Sequence, residues 1–135
     1  MGDVALAPVL DSDVLIDYLR GAGPGRDLLR NLHQTLAYRV TAVSAFELSV
    51  GHGRGQRHET EDALLAVPCL ALTREAAIRA GSVLRELRAR GAGIEARDAM
   101  QAGICLVADA PLVTRNVRHF SRVPGLVVVE PGQWL

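Results

Sequence analysis

The run Val9-Leu10-Asp11-Ser12-Asp13-Val14-Leu15-Ile16-Asp17 constrains the fold of this chain more than any other stretch. An apolar segment (Ala5, Leu6, Ala7, Val9, Leu10) stops at Asp11, and three carboxylates follow within seven residues, with apolar residues between them. A short apolar run ahead of a helical pattern reads as a buried strand feeding a helix. The strand is expected over about residues 5 to 11 and the helix over 12 to 20, with Ser12 as its N-cap. Asp11 then stands at the carboxyl end of a strand, where open parallel sheets place their ligand crevice. A carboxylate buried there unpaired is costly, and a divalent cation removes that cost.

The alternation continues along the chain. Gly21 to Gly25 reads as a turn, and Pro24 suits the first turn of a helix reaching about Thr35. Tyr38 to Thr41 reads as a second strand. Ala45 to Val50 follows as a helix, with Ser44 and Glu47 at capping-box spacing. Gly51 to Gly55 breaks that helix, and Glu59 to Ala66 forms a short one. Cys69 to Leu72 reads as a third strand. Thr73 to Arg90 is the longest helical pattern, with Ala77, Ala80, Val83, Leu84 and Leu87 as its expected buried stripe, closed by Gly91-Ala92-Gly93. Ile94 to Val107 is a further helix with Asp98 near its start, and Asp109 reads as a turn residue. Residues 110–114 and 126–129 read as the last two strands. Strands alternating with helices predict a parallel sheet covered on both faces, and 135 residues suit one domain.

All fifteen basic residues are arginine, which excludes any chemistry needing a lysine nucleophile or a P-loop lysine. The formal net charge is zero, so nucleic-acid contact would need local clustering. Arg74, Arg79, Arg85, Arg88, Arg90 and Arg97 offer such a stripe, and equally a solvated helix face. Cys69 and Cys105 lie in apolar runs and read as reduced thiols of a cytoplasmic protein. The histidines (33, 52, 58 and 119) have no metal-ligand spacing and read as surface or packing residues. No signal peptide and no run of bilayer length is expected.

Three acids far apart in sequence occupy similar places. Asp11 ends a strand, Glu47 lies in the helix after the second strand, and Asp98 opens a later helix. In a doubly wound sheet, strand ends and the following helix starts share one edge, so the three are expected to converge. Grouped carboxylates repel and desolvate one another. A hard cation such as Mg2+ or Mn2+ resolves both costs and supplies a water of lowered pKa for phosphodiester hydrolysis. Simpler roles exist for each acid: a helix N-terminal acid for Asp11, half of a capping box for Glu47, a solvated partner of arginine for Asp98. Asp13 and Asp17 share one helix face, which solvent or metal could claim. Thr114 and Asn116 suit a turn and a cap, or the site.

The same residues resemble a known family. Leu10 to Asp17 is similar to the opening motif of PIN-domain ribonucleases, most closely the VapC-type toxins of bacterial toxin–antitoxin pairs. Val40 to Leu48 resembles the second motif, whose acid falls on Glu47. Ile94 to Met100 resembles the third, whose acid falls on Asp98. Leu112 to Phe120, followed by Val123 to Leu126, resembles the closing motif. The resemblance implies a three-layer α/β/α domain with a central parallel sheet of four to five strands. It implies a Mg2+- or Mn2+-dependent endoribonuclease acting on RNA, dimerisation, and inhibition by a VapB-type antitoxin. Asp11, Glu47 and Asp98 would hold the metal, and Asn116 would complete the catalytic set where many relatives carry a fourth acid. A neutral residue there lowers the site's charge and disfavours a second tightly held ion. Two other readings remain. Asp11-Ser12-Asp13-Val14 also resembles the nucleophile motif of haloacid-dehalogenase-type phosphatases, although the lysine and later acid pair of that family are missing. A binding module could instead use the acids only to tie its own helices to the sheet.

Overall fold

The computed structural model describes residues 7–20, 38–51, 62 and 64–134. Five short strands lie among the described residues: β1 (Val9–Leu10), β2 (Val40–Thr41), β3 (Cys69–Leu70), β4 (Leu112–Val113) and β5 (Val128–Val129). The described helices are α1 (Ser12–Arg20), α2 (Ala42–Gly51), α3 (Arg74–Ala89), α4 (Ala96–Val107), α5 (Val117–Phe120) and α6 (Pro131–Trp134). The helix expected from Pro24 to Thr35 and the loop at 52–58 lie outside the described residues, as do His33, His52 and His58.

All strand pairs are parallel: β1 with β4, β4 with β5, and β2 with β3. Arg39 joins the two groups, because Leu10 N–H donates to its carbonyl and its own N–H donates to the Pro8 carbonyl, both at 2.9 Å. The strand order is therefore β3-β2-β1-β4-β5. Chain direction across the sheet reverses between β1 and β4. That junction is the switch point where such sheets open a crevice at their carboxyl ends.

Successive strand residues face opposite sides of a sheet, and the buried residues divide accordingly. Leu10, Val40 and Val113 pack with Val14 and Leu15 of α1 and Leu48 of α2. Val9 and Leu112 pack on the other side with Val83 and Leu87 of α3 and Ala102 and Cys105 of α4. The result is the three-layer α/β/α arrangement. Cys105 is buried, Cys69 is exposed, and both are free thiols.

Local chemistry moves several expected boundaries. Asp11, not Ser12, precedes the first turn of α1: its carbonyl accepts from Val14 and Leu15 N–H at 3.2 and 3.3 Å, and its carboxylate from Ser12 N–H at 2.9 Å. The capping box at Ser44 and Glu47 does not form. Helix α2 begins three residues earlier than expected, and the Thr41 hydroxyl accepts the Ser44 N–H at 3.1 Å, which frees both side chains for other partners. In α3 the buried stripe is Ala76, Ala80, Val83 and Leu87; Ala77 is exposed and Leu84 only partly covered. Thr73 caps α3 through Ala76 N–H.

Candidate active site

Asp11 lies at the switch point and is only 8% exposed. Its Oδ1 accepts hydrogen bonds from Ser12 N–H at 2.9 Å and Gln101 Nε2 at 3.2 Å, and its Oδ2 from the Thr114 hydroxyl at 2.7 Å. β1 supplies the acid and β4, its neighbour across the switch point, supplies the threonine. Burial first, then the negative charge of Asp13, pushes the Asp11 pKa up to about 7; the Thr114 and Ser12 hydrogen bonds oppose this, and the charge of Glu47 adds to it.

Asp13 stands one step into α1. Its Oδ2 accepts from Arg115 N–H at 3.1 Å and lies 3.4 Å from the Thr114 hydroxyl, whose one proton goes to the nearer Asp11 Oδ2. Its Oδ1 is buried and has no hydrogen-bond partner among the described residues. Burial raises the Asp13 pKa, against the lowering effect of Arg115. Asp17, the other acid of this helix face, is claimed by Arg115, whose Nη1 donates to its Oδ1 at 2.5 Å. That pair ties α1 to the segment after β4 and makes Asp17 structural.

Glu47 projects from α2 toward the same edge. Ser12 Oγ donates to its Oε1 at 3.4 Å, and Arg97 Nη1 lies 3.8 Å from its Oε2. Burial raises its pKa, Arg97 lowers it, and the charges of Asp98 and Asp13 raise it. Asp98 sits in the first turn of α4, where the helix dipole favours an acid. Burial and then Glu95 raise its pKa, while His119 and Arg97 lower it. Asn116 precedes α5 and links the two halves of the site. Its N–H donates to Thr114 Oγ1 at 3.0 Å, and its Nδ2 contacts His119 Nδ1 at 3.0 Å.

The four sequence-predicted residues are therefore neighbours along one rim. Asp11, Asp13, Glu47 and Asp98 form an electrostatically coupled series, and Asn116 joins it through Thr114 and His119. They are not a closed cage: among the described residues, no three Asp, Glu, His or Cys side chains converge to metal-ligating separations. The buried, partnerless Asp13 Oδ1 and the desolvated Asp11 carboxylate are the features that fit a divalent ion, because oxygen donors at such a rim suit a hard cation.

Comparison with known proteins shows the family of the fold. The PIN domain model matches residues 9–126, and the chain belongs to the PIN-domain family. Ribonuclease VapC10 of Mycobacterium tuberculosis is 34% identical over 112 residues, covering 83% of this chain and 84% of the relative. A DNA-bound VapBC structure from Salmonella typhimurium superposes with a TM-score of 0.79 at 23% identity, covering 93% of this chain and 98% of that one. A toxin–antitoxin complex from Klebsiella pneumoniae superposes with a TM-score of 0.75 at 22% identity, over the same shares. PIN-domain ribonucleases generally use a divalent metal. Family membership sets aside the dehalogenase-type phosphatase.

Three contributors escaped the sequence. Gln101 touches Asp11 from a helix position where the pattern calls for an apolar residue, and that mismatch was its only signal. His119, expected at the surface for packing or solvation, is exposed but contacts Asn116. Arg115, which binds Asp13 and Asp17, had no signal beyond its place in the closing motif.

Proposed function

We propose that this chain is a metal-dependent endoribonuclease, the toxin of a VapBC-type toxin–antitoxin pair, hydrolysing RNA phosphodiester bonds in the cytoplasm as one PIN domain. The observation that carries the reading is the burial of Asp11 among other carboxylates at the sheet's switch point. Three hydrogen bonds hold the Asp11 carboxylate there, and a divalent cation would offset the cost that remains from its burial beside Asp13 and Glu47. Asp11, Glu47 and Asp98 would hold Mg2+, with Mn2+ as a working substitute, and Asn116 would contribute its amide oxygen. Such an ion, when bound, lowers the pKa of a coordinated water and offsets charge developing on the phosphate.

The chain's own groups do the rest. Thr114 and Gln101 hold the Asp11 carboxylate by its two oxygens. Arg115 holds Asp13 and Asp17, which fixes the start of α1 against β4. Arg97 is half exposed beside Glu47 and is placed to meet a substrate phosphate. A VapB-type antitoxin and a second copy of the chain are the proposed protein partners. Exposed apolar side chains support this: Phe46 (57% exposed) and Leu72 line an apolar groove of about 270 Å3 with Val43 and Met100. Among the described residues, no helix is long and apolar enough to cross a membrane.

The test is the variant Asp11→Asn. Purified wild-type protein should cleave RNA with Mg2+ or Mn2+ present, and the variant should lose at least about two orders of magnitude in rate while remaining folded. Cleavage retained in a folded D11N protein would remove Asp11 from the chemistry; a wild-type protein that cleaves no RNA with either metal would favour the binding-module reading.

A further inference from the structure

Gln101 is 1% exposed, yet it is fully polar at its tip. A buried amide of this kind is costly unless every group finds a partner. Here each one does. The Thr41 hydroxyl oxygen accepts the Ser44 N–H at 3.1 Å, so its own proton is free to donate to Gln101 Oε1. Gln101 Nε2 then donates to Ser44 Oγ at 3.0 Å and to Asp11 Oδ1 at 3.2 Å. The Asp11 carboxylate, which only accepts, fixes which end of the amide faces it, and the Thr41 hydroxyl then holds the amide oxygen. Reversed, the amide would set its oxygen against the Asp11 carboxylate, acceptor against acceptor. The network therefore ties α4, the start of α2 and the end of β1 to one carboxylate oxygen. Gln101 also lies three residues after Asp98, on the same side of α4.

We propose that Gln101 is a positioning residue: through an amide held by Thr41 and Ser44, it sets the orientation of Asp11 for its divalent ion. The proposal rests on the reading of Asp11 as a ligand of that ion. Groups that orient metal ligands from behind commonly change metal affinity or activity by about 10–100-fold when replaced.

The experiment measures Mn2+ binding by titration calorimetry at fixed pH on the full chain, together with kcat and KM for RNA cleavage. Gln101→Met keeps the side chain's length but removes donor and acceptor; Gln101→Glu puts an oxygen where Nε2 donates. Both should weaken Mn2+ binding by about tenfold or more and lower kcat, with KM for RNA close to wild type. A structural role alone would lower thermal stability without moving Mn2+ affinity in the folded protein. Thr41→Val, which unlocks the amide without touching Asp11, should weaken Mn2+ binding in the same direction, and Thr41→Ser should restore it. This pair decides the matter should the Gln101 variants fail to fold. Wild-type Mn2+ affinity in folded Q101M, or in T41V where Q101M does not fold, overturns the positioning role and leaves the nuclease reading standing. A wild-type protein that binds no Mn2+ overturns both.

Discussion

At the scale of residues, the chemistry concentrates on one acid whose environment opposes its charge. The Asp11 pKa rises from 3.8 to about 7, chiefly through burial and the neighbouring Asp13. The folded state thus binds the Asp11 proton more tightly than the unfolded chain. The corresponding stability is present in full below the unfolded value and is lost as pH climbs through about 7. Asp13, Glu47 and Asp98 are shifted the same way and add to the trend. In chelator, the melting temperature should therefore fall between about pH 5 and about pH 8. Asp11→Asn, which cannot ionise, should show a shallower fall and melt above wild type at the upper pH. Thermal denaturation across that range checks both; equal slopes would mean that Asp11 ionises without cost. Asp11 itself was legible because a carboxylate ending an apolar run has few ordinary reasons to be there. Gln101 was not, because its role depends on Thr41, Ser44 and Asp11, which lie 90 positions away at the furthest.

At the scale of elements, helix ends and close approaches decide the geometry that delivers those residues. Helix α3 closes on Gly91 at φ 69°, with Ala92 N–H bonded to the Leu87 carbonyl at 2.8 Å and Gly91 N–H to that of Arg88 at 3.1 Å. This is a left-handed cap that glycine adopts without strain. Asp109 closes α4 the same way at φ 50°, as its turn signal suggested. Between these helices Gly103 permits the contact: a Cβ added there would stand 2.5 Å from the Ala76 carbonyl oxygen and 2.9 Å from Ala80. Gly103→Ala should force α3 and α4 apart and destabilise the fold by about 1–3 kcal/mol. Because α4 also carries Asp98 and Gln101, Mn2+ affinity should fall with it. Denaturant unfolding measures the first effect, and an unchanged midpoint would show that the helices can separate freely. The sequence located α2, α3 and α4 but misplaced the caps of α1 and α2 and the α3 stripe at Ala77 and Leu84. Thr41 and Ser44 are equally good caps in isolation; both also meet the Gln101 amide, a distant partner that the local pattern does not contain. Ala76 and Ala77 satisfy helical spacing alike, and only packing on Val43 and Ile104 selects Ala76.

At the scale of the whole molecule, alternating strands and helices were enough to foresee a parallel sheet covered on both faces, because both periodicities are local. The order β3-β2-β1-β4-β5 is not local. It arises when β4 crosses to the far side of β1, and that crossing brings Thr114 and Asn116 to Asp11. The acids and Asn116 could be nominated from the sequence, with a site role open for Thr114, whereas Gln101 and Arg115 could not. The account turns on the rim of carboxylates at this crossing holding a divalent ion. Its most direct test is an anomalous-scattering map from crystals of the wild-type chain soaked in Mn2+. The expected result is a peak in contact with the Asp11 carboxylate and bounded by Glu47 and Asp98, absent in Asp11→Asn. No peak at Asp11, or a peak that persists unchanged in the variant, would contradict it.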